Sequence, residues 1–281
     1  MDRLRKALSD RFDSDVSDPS ERTTIDEHED RLLELASRRS HRRFEDRPVS
    51  LELLKLLAGV ALAAPSKSDL QQRDIIIVRD ADQLAALKTL VADQAWTQQI
   101  PALLVLCGNN RRQRQIHEVH DRAFANDHLD AFFNAAVDGG IALQAFITAA
   151  ETIGLGCCPI SAIRNQPDAA SKILNLPDYT FPIAGLAVGW PSTDGKLSLR
   201  LPLETTVHVD RFDDSNVMNE IAAYDRRRAE LQPFRTQRAP ERFGTAPGDT
   251  YTWSDDKTRQ YALPERSDFG AYIVKRRFIL N

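Results

Sequence analysis

One stretch of the sequence, residues 128–152, constrains the fold more than any other. It is rich in alanine and apolar on almost all sides, and Gly154-Leu155-Gly156 follows it directly. A helix that is apolar all round is normally buried. The stretch therefore predicts a central helix that other elements of the chain must cover.

Short apolar stretches rich in β-branched residues predict a sheet beside this helix. Buried strands typically have this composition. We expect strands at 74–79, 102–107, 156–160 and 181–189, and flanking helices at 51–62, from about residue 80, and at 168–174. Strands mixed with helices of this kind predict an α+β core.

The two ends of the chain differ from this core. Residues 1–23 are largely polar and lose all periodicity from residue 9, so we expect a polar tail. Thr24 and Glu27 form a capping-box pattern, which predicts that the first helix begins at Thr24. The core then spans 24–213. Residues 214–281 predict a helical arm that packs on the main body or on a second subunit.

Charge and hydropathy exclude several classes of protein. The chain has 37 Lys and Arg against 41 Asp and Glu, a net charge of −4, whereas non-specific nucleic-acid binders are usually basic. Apolar stretches such as 100–107 are far shorter than the roughly 20 residues that span a bilayer. The first residues lack the apolar segment of a secretory leader. We therefore expect a cytoplasmic protein that binds neither nucleic acid nor a membrane.

Histidine and cysteine patterns do not predict a metal site. His117 and His120 are three residues apart, whereas the zinc-protease motif needs His-Glu-x-x-His, so a polar surface helix is favoured. Cys157 and Cys158 would point to opposite faces of a strand. Together with Cys107, they are expected to be mostly buried thiols outside any disulfide framework.

The sequence does not contain the common motifs of catalytic nucleophiles and of nucleotide binding, or contains them in the wrong structural context. The sequence contains no Gly-x-Ser-x-Gly turn and no Gly-x-x-x-x-Gly-Lys-Ser/Thr loop. Gly154-x-Gly156 follows a helix rather than a strand, so it does not satisfy the dinucleotide-binding fingerprint.

Two polar clusters remain as candidate ligand sites. Residues 38–43, Arg-Arg-Ser-His-Arg-Arg, lie between two predicted helices. Guanidinium groups bind phosphate bidentately, and the Ser40 hydroxyl adds a donor. A solvated basic patch has the same composition, and the residues alone leave both interpretations open. The second cluster, 65–71, precedes the first strand, where loops commonly carry ligand contacts.

Several motifs occur in a fixed order. They are Arg39-Ser40-x-Arg42-x-Phe44-x-Asp46-x-Pro48, Ser66-x-Ser68-x-Leu70-Gln71, Asp138 through Ala150 leading into 151–156, Leu176-Pro177, 185–191, Arg200-Leu-Pro202 and 251–255. In order and spacing the chain resembles the FMN-dependent nitroreductase family. Within that family it is similar to the NADPH-preferring, oxygen-insensitive nitroreductases and the P-type flavin reductases. The resemblance spans about residues 30–213, with a further match at 251–255.

The resemblance implies the fold and the activity. It implies a nitroreductase-like homodimer with FMN at each subunit interface, a central, mostly antiparallel sheet flanked by helices, and a C-terminal arm wrapping the dimer. It also implies ping-pong hydride transfer from NADPH or NADH, through FMN, to a small nitroaromatic, quinone or flavin acceptor. Because the cofactor carries this chemistry, no catalytic side chain is named. The alternative is a flavin-binding or flavin-less member without turnover that acts in sequestration or interaction.

The resemblance also implies a set of ligand contacts. Those to the flavin phosphate and pyrimidine edge are Arg38, Arg39, Ser40, Arg42 and Arg200. Those from a loop that reaches the flavin of the other subunit are Ser66, Lys67 and Ser68. The contacts along the flavin ring are Gln94, Pro159, Ile160, Ser161 and Ala162. The contacts to the substrate are Asp69, Leu70 and Arg164.

Overall fold

The computed structural model describes residues 1–17, 19–92, 94–246 and 250–281. Their contacts group them into two compact units, the first formed by 1–38 and 197–265 and the second by 39–196 and 266–281. The strands are β1 (Arg73–Val78), β2 (Ala102–Asn109), β3 (Gly156–Ile160) and β4 (Thr180–Gly189). The helices are α1 (Asp2–Phe12), α2 (Arg22–Ala36), α3 (Leu51–Leu62), α4 (Ala81–Thr89), α5 (Arg111–Val119), α6 (Leu129–Thr152), α7 (Pro167–Ile173), α8 (Leu203–Thr206), α9 (Val217–Leu231), α10 (Pro240–Phe243), α11 (Trp253–Tyr261) and α12 (Phe269–Lys275).

The second unit is built on a sheet with the strand order β1-β2-β4-β3. Each neighbouring pair is antiparallel, and Val105 of β2 lies opposite Ile76 on one side and Gly185 on the other. The predicted strands are confirmed to within two residues at each end, as is the antiparallel arrangement that the resemblance implied. The α+β fold class is therefore confirmed.

Both faces of this sheet are covered. Leu104, Leu106 and Cys157 face a core that includes residues of α3 and α6. Val105 and Cys158 face a second core that includes residues of α4 and α7. This double burial explains why the strands are apolar at consecutive positions. It also confirms that the adjacent cysteines point to opposite faces.

The three cysteines are buried thiols, as the sequence analysis predicted. Burial raises the pKa of the Cys107 thiol to about 12, with the Asp74 carboxylate as a smaller cause.

Helix α6 corrects the expectation of a helix buried on all sides. Ala135, Ala142 and Phe146 are fully buried, and Phe146 lies in the core that the sheet shares with α3. Phe133 and Val137 are 60% and 41% exposed. The length and composition of α6 would allow it to cross a membrane, but its packing on the sheet accounts for the apolar face. These exposed residues give α6 a second apolar face, which no described element of the single chain covers.

The N-terminal segment also differs from its prediction. Residues 2–12 form α1 instead of a polar tail, and α2 begins at Arg22 after Glu21, so the capping box at Thr24 is wrong. Ion pairs join the two helices, with Arg3 2.5 Å from Asp30 and the Met1 ammonium 2.7 Å from Glu29. The hydrogen bond from that ammonium lowers the pKa of Glu29 to about 2. Ion pairs thus hold α1 against α2. The prediction missed α1 because it looked for apolar residues at helical spacing.

Within the first unit, the end of α1 contacts the C-terminal part of the chain. The Arg200 N–H donates to the Arg11 carbonyl (2.9 Å), and the Ser14 hydroxyl donates to Glu204 (2.7 Å). Asp13 lies 3.3 Å from Arg227 of α9. By contrast, α12 belongs to the second unit, where Tyr272 packs in one cluster with Phe181. The predicted boundaries after residues 23 and 213 stay a prediction.

Gly108 of β2 allows Phe181 to pack against the sheet. A Cβ at this position would lie 2.4 and 2.6 Å from two atoms of the Phe181 ring, which is 1% exposed. We expect Gly108→Ala to lower the free energy of unfolding by about 1–3 kcal/mol, because the buried ring has to move. Urea unfolding followed by circular dichroism measures this.

Gly59→Ala in α3 is the matched control. Among the described residues, nothing lies within 4 Å of a Cβ at this position. Alanine there should stabilise the helix by about 0.5–1 kcal/mol. Equal effects of the two substitutions would contradict the packing argument.

Candidate functional site

The first predicted cluster lies along the edge of the sheet. The His41 N–H donates to the Cys157 carbonyl of β3 (3.0 Å), and the Glu45 N–H donates to the Trp190 carbonyl (2.8 Å). Phe44 forms an isolated bridge with Pro191. The backbone that carries Arg39, Ser40 and Arg42 is therefore fixed beside β3 and the end of β4.

A turn after β4 faces the same segment. The Ser192 N–H donates to the Arg43 carbonyl (3.1 Å), and the His41 Nδ1 lies 3.2 Å from the Thr193 carbonyl oxygen. Gly195 has a φ of +67°, and a Cβ there would come within 3.4 Å of the Ser40 carbonyl oxygen. The turn needs glycine for this conformation. We call residues 39–43 and 192–196 the cradle.

Arg42 is exposed and lies near another predicted contact. Its guanidinium carbon is 5.8 Å from the centroid of the Trp96 ring, and within the described ranges no carboxylate forms a salt bridge with it. Trp96 belongs to a short 3₁₀ helix, Ala95–Gln99, that Gln94 precedes. The structure therefore brings the predicted residues Arg42 and Gln94 to the same part of the second unit.

The stretch at the end of β3 is only partly available to a ligand. Pro159 and Ser161 are exposed, and the Ser161 hydroxyl lies 3.4 Å from the Arg266 guanidinium. Ile160 and Ala162 are 2% and 3% exposed. Their side chains face the core, so any ligand contact at those two positions has to come from the backbone.

Arg164 has a partner inside the protein. Its guanidinium donates to the Ile183 carbonyl of β4. Burial lowers the pKa of Arg164, and the nearby Arg266 adds to this effect. A substrate contact by Arg164 stays a prediction, and it would require the side chain to leave this position or to share its donors.

The second predicted cluster is a loop just before β1. Ser68, Asp69 and Gln71 have φ values of 50°, 54° and 51°, in the left-handed region that non-glycine residues seldom adopt. Lys67, Ser68 and Asp69 are exposed, whereas Leu70 is half-buried. Such a backbone needs strong support from outside the loop.

A buried carboxylate, Asp138 of α6, provides this support. It accepts hydrogen bonds from the Ser66 hydroxyl (3.0 Å), the Lys67 N–H (2.9 Å) and the Gln72 N–H (3.0 Å). The Arg73 guanidinium lies 3.7 Å away, and the two side chains are 3% and 0% exposed. Asp138 begins one of the motifs found in the sequence, but no role was predicted for it. The feature of the sequence that could have indicated this role is an acidic residue inside an alanine-rich helix.

The cradle and the loop lie at opposite ends of the sheet. The cradle adjoins the end of β4, and the loop precedes Arg73, which pairs with Gly108 opposite Phe181 at the start of β4. β4 has 10 residues, which corresponds to about 30 Å of strand. One chain therefore does not bring the two sets of predicted contacts together.

Arg38 and Arg200 belong to the first unit. Arg38 is half-buried just after α2. Arg200 is exposed, and its guanidinium lies 3.3 Å from the Leu199 carbonyl oxygen of its own segment. The cofactor contacts predicted for these two arginines stay predictions.

Comparisons with known proteins agree with the fold and the motifs. Residues 35–190 match the model of the nitroreductase family, and residues 198–281 match the C-terminal domain of that family. The chain is 34% identical over 208 residues to an FMN reductase (NAD(P)H) of Bacillus subtilis, covering 73% of this chain and 84% of that protein. It is 33% identical over 242 residues to an oxygen-insensitive NADPH nitroreductase of Salmonella typhimurium, covering 86% and 95%.

A solved structure shows the same fold over most of the chain. The structure of NfrA2 from B. megaterium has a TM-score of 0.80 and 31% sequence identity, and it covers 89% of this chain and 98% of that one. Motifs, fold and family models thus agree over both parts of the sequence, and the chain belongs to the nitroreductase family.

Proposed function

We propose that the protein is an FMN-containing NAD(P)H oxidoreductase that reduces nitroaromatic, quinone or flavin acceptors. The observation that carries this proposal is the cradle, which fixes the Arg39-Ser40-x-Arg42 segment next to β3. The names of the relatives, an FMN reductase and an NADPH nitroreductase, support the same activity.

The donors in the cradle suit a flavin phosphate. Guanidinium and hydroxyl groups are the donors that phosphate prefers, and Arg42 lacks a carboxylate partner among the described residues. Arg39, Ser40 and Arg42 would hold the phosphate and pyrimidine edge, with Gln94 and the exposed Pro159 and Ser161 along the ring. When bound, FMN supplies the hydride-transfer chemistry, and these side chains orient it and stabilise negative charge.

A homodimer would complete this site. The predicted loop contacts lie at the far end of the sheet from the cradle, so a second copy would have to supply them. The exposed apolar residues Phe133 and Val137 on α6, and Leu56 and Val60 on α3, support such a contact because apolar surface of this kind often marks an interface. We place the enzyme in the cytoplasm.

The test is an absorption spectrum of the purified protein, followed by anaerobic addition of NADPH or NADH. We expect a yellow protein that is bleached by one of the nucleotides, that regains colour with a nitroaromatic or quinone, and that releases FMN on denaturation. A colourless protein that takes up no added FMN and oxidises neither nucleotide would contradict the proposal and favour a member of the family without turnover.

A further inference from the structure

The His41 side chain joins the two segments of the cradle, although no ligand contact is predicted for it. Its backbone N–H donates to the Cys157 carbonyl of β3 (3.0 Å), and its ring Nδ1 lies 3.2 Å from the Thr193 carbonyl oxygen. A carbonyl oxygen only accepts hydrogen bonds, so the Nδ1 has to carry a proton for this contact to be a hydrogen bond. The imidazole then donates to the turn after β4, while β3 holds its backbone.

Gly156, the first residue of β3, leaves the space that this side chain occupies. A Cβ at Gly156 would lie 2.7 Å from the His41 Cβ and 2.8 Å from the His41 Cγ. Carbon atoms that are not bonded to each other normally stay about 3.5–4.0 Å apart. The strand therefore packs directly against the His41 side chain, which restricts the directions in which the ring can point.

The turn that His41 holds lies against two of the predicted phosphate contacts. A Cβ at Gly195 would be 3.4 Å from the Arg39 Cγ and 3.4 Å from the Ser40 carbonyl oxygen. The turn thus passes close to the stem of the Arg39 side chain and to the backbone of Ser40. A flexible arginine loses rotamer freedom when its guanidinium binds an anion. A wall that restricts the stem beforehand lowers this entropic cost.

We propose that His41 is a positioning residue for the phosphate of the flavin. Its imidazole holds the turn 192–196 through the Thr193 carbonyl, and the turn in its place holds Arg39 and Ser40 in the arrangement that binds the phosphate. His41 itself contacts neither the flavin nor the reacting atoms. This inference rests on the proposed function, because the anion in question is the phosphate of FMN.

The test compares FMN with riboflavin, which has the same ring system but no phosphate. The full-length protein, freed of flavin, is titrated with each of them, and the ratio of the two dissociation constants measures the contribution of the phosphate. His41→Leu removes the donor, and we expect it to lower the preference for FMN about 3- to 10-fold, the range for one hydrogen bond. A general loss of stability would weaken the binding of both flavins alike.

His41→Asn is the matched control. The side-chain nitrogen of asparagine is as many bonds away from the backbone as the Nδ1 of histidine, and it donates hydrogen bonds. This variant should therefore keep the preference for FMN within about twofold of that of the unsubstituted protein.

A second measurement requires no bound flavin. Long-range ¹H–¹⁵N correlation spectra distinguish an imidazole nitrogen that carries a proton from one that does not. We expect the His41 Nδ1 to be protonated in the unsubstituted protein, with its signals identified by their loss in His41→Asn. If His41→Leu does not fold, this spectrum decides.

The outcomes separate this inference from the proposed function. If the unsubstituted protein binds neither flavin, the proposed function is contradicted and the inference falls with it. The inference alone is overturned if the unsubstituted protein binds FMN and riboflavin equally well, or if His41→Leu keeps the preference for FMN. An equal loss in His41→Leu and His41→Asn, or an Nδ1 without a proton, overturns it as well.

Discussion

Replacing Asp138 with alanine is expected to lower the free energy of unfolding by about 3–5 kcal/mol. The substitution removes the acceptor for three donors in the loop or directly after it, and it leaves the Arg73 guanidinium without its nearest carboxylate in a buried position. Such a loss is a large fraction of the total stability of a typical domain, about 5–15 kcal/mol. Equilibrium unfolding in urea, followed by both circular dichroism and fluorescence, measures the change.

Asp130→Ala is the matched control on the same helix. Asp130 is exposed in the first turn of α6, so its removal should cost about 1 kcal/mol or less. Asp138→Asn should be intermediate, because it keeps the size and one acceptor but loses the charge. If Asp138→Ala stays within 1 kcal/mol of the unsubstituted protein, the loop does not depend on this carboxylate.

Arg42→Ala is expected to raise the dissociation constant for FMN about 10- to 100-fold. A hydrogen bond to a charged group contributes about 1.5–3 kcal/mol, and each 1.4 kcal/mol corresponds to a factor of ten. Reduction by NAD(P)H should also slow, because the guanidinium no longer stabilises negative charge on the reduced flavin. Titration of flavin-free protein with FMN, followed by flavin fluorescence, measures the affinity.

Arg47→Ala tests whether the effect is specific. Arg47 is exposed in the same segment of chain, with its guanidinium 3.7 Å from the Trp190 ring centroid, but it is not among the predicted cofactor contacts. We expect its removal to change the FMN dissociation constant less than threefold, as for a solvent-screened surface charge that makes no contact with the ligand. An equal loss in the two variants would mean that overall positive charge, and not the position of Arg42, retains the flavin.

Local sequence patterns were sufficient to predict the sheet and most of the helices around it. Strands such as β2 are buried on both faces, so their composition alone distinguishes them from loops. The resemblance carried by the Arg39-Ser40-x-Arg42 motif predicted a ligand-binding segment; its ligand contacts stay a prediction, and the structure fixes that segment beside β3.

Features that depend on distant residues were missed. α1 is stabilised by charge pairs with α2, which apolar periodicity does not reveal. The role of Asp138 depends on a loop about seventy residues earlier. The hydrogen bond between the Gln72 and Asn110 side chains forms only when β1 and β2 align. Ile160 at the end of β3 and Ala162 in the 3₁₀ turn after it are buried in the second core, and the resemblance alone gave no information on their side-chain direction.

The first unit joins two segments that are far apart in the sequence. This affects how the chain folds during synthesis. Ser14 pairs with Glu204, 190 positions later, and Asp10 receives a hydrogen bond from Arg227, 217 positions later. At 5–20 residues per second, a ribosome needs about 10–40 s to make the intervening chain. The α1–α2 hairpin therefore emerges long before its partners, and in that interval it depends on its own ion pairs or on a chaperone.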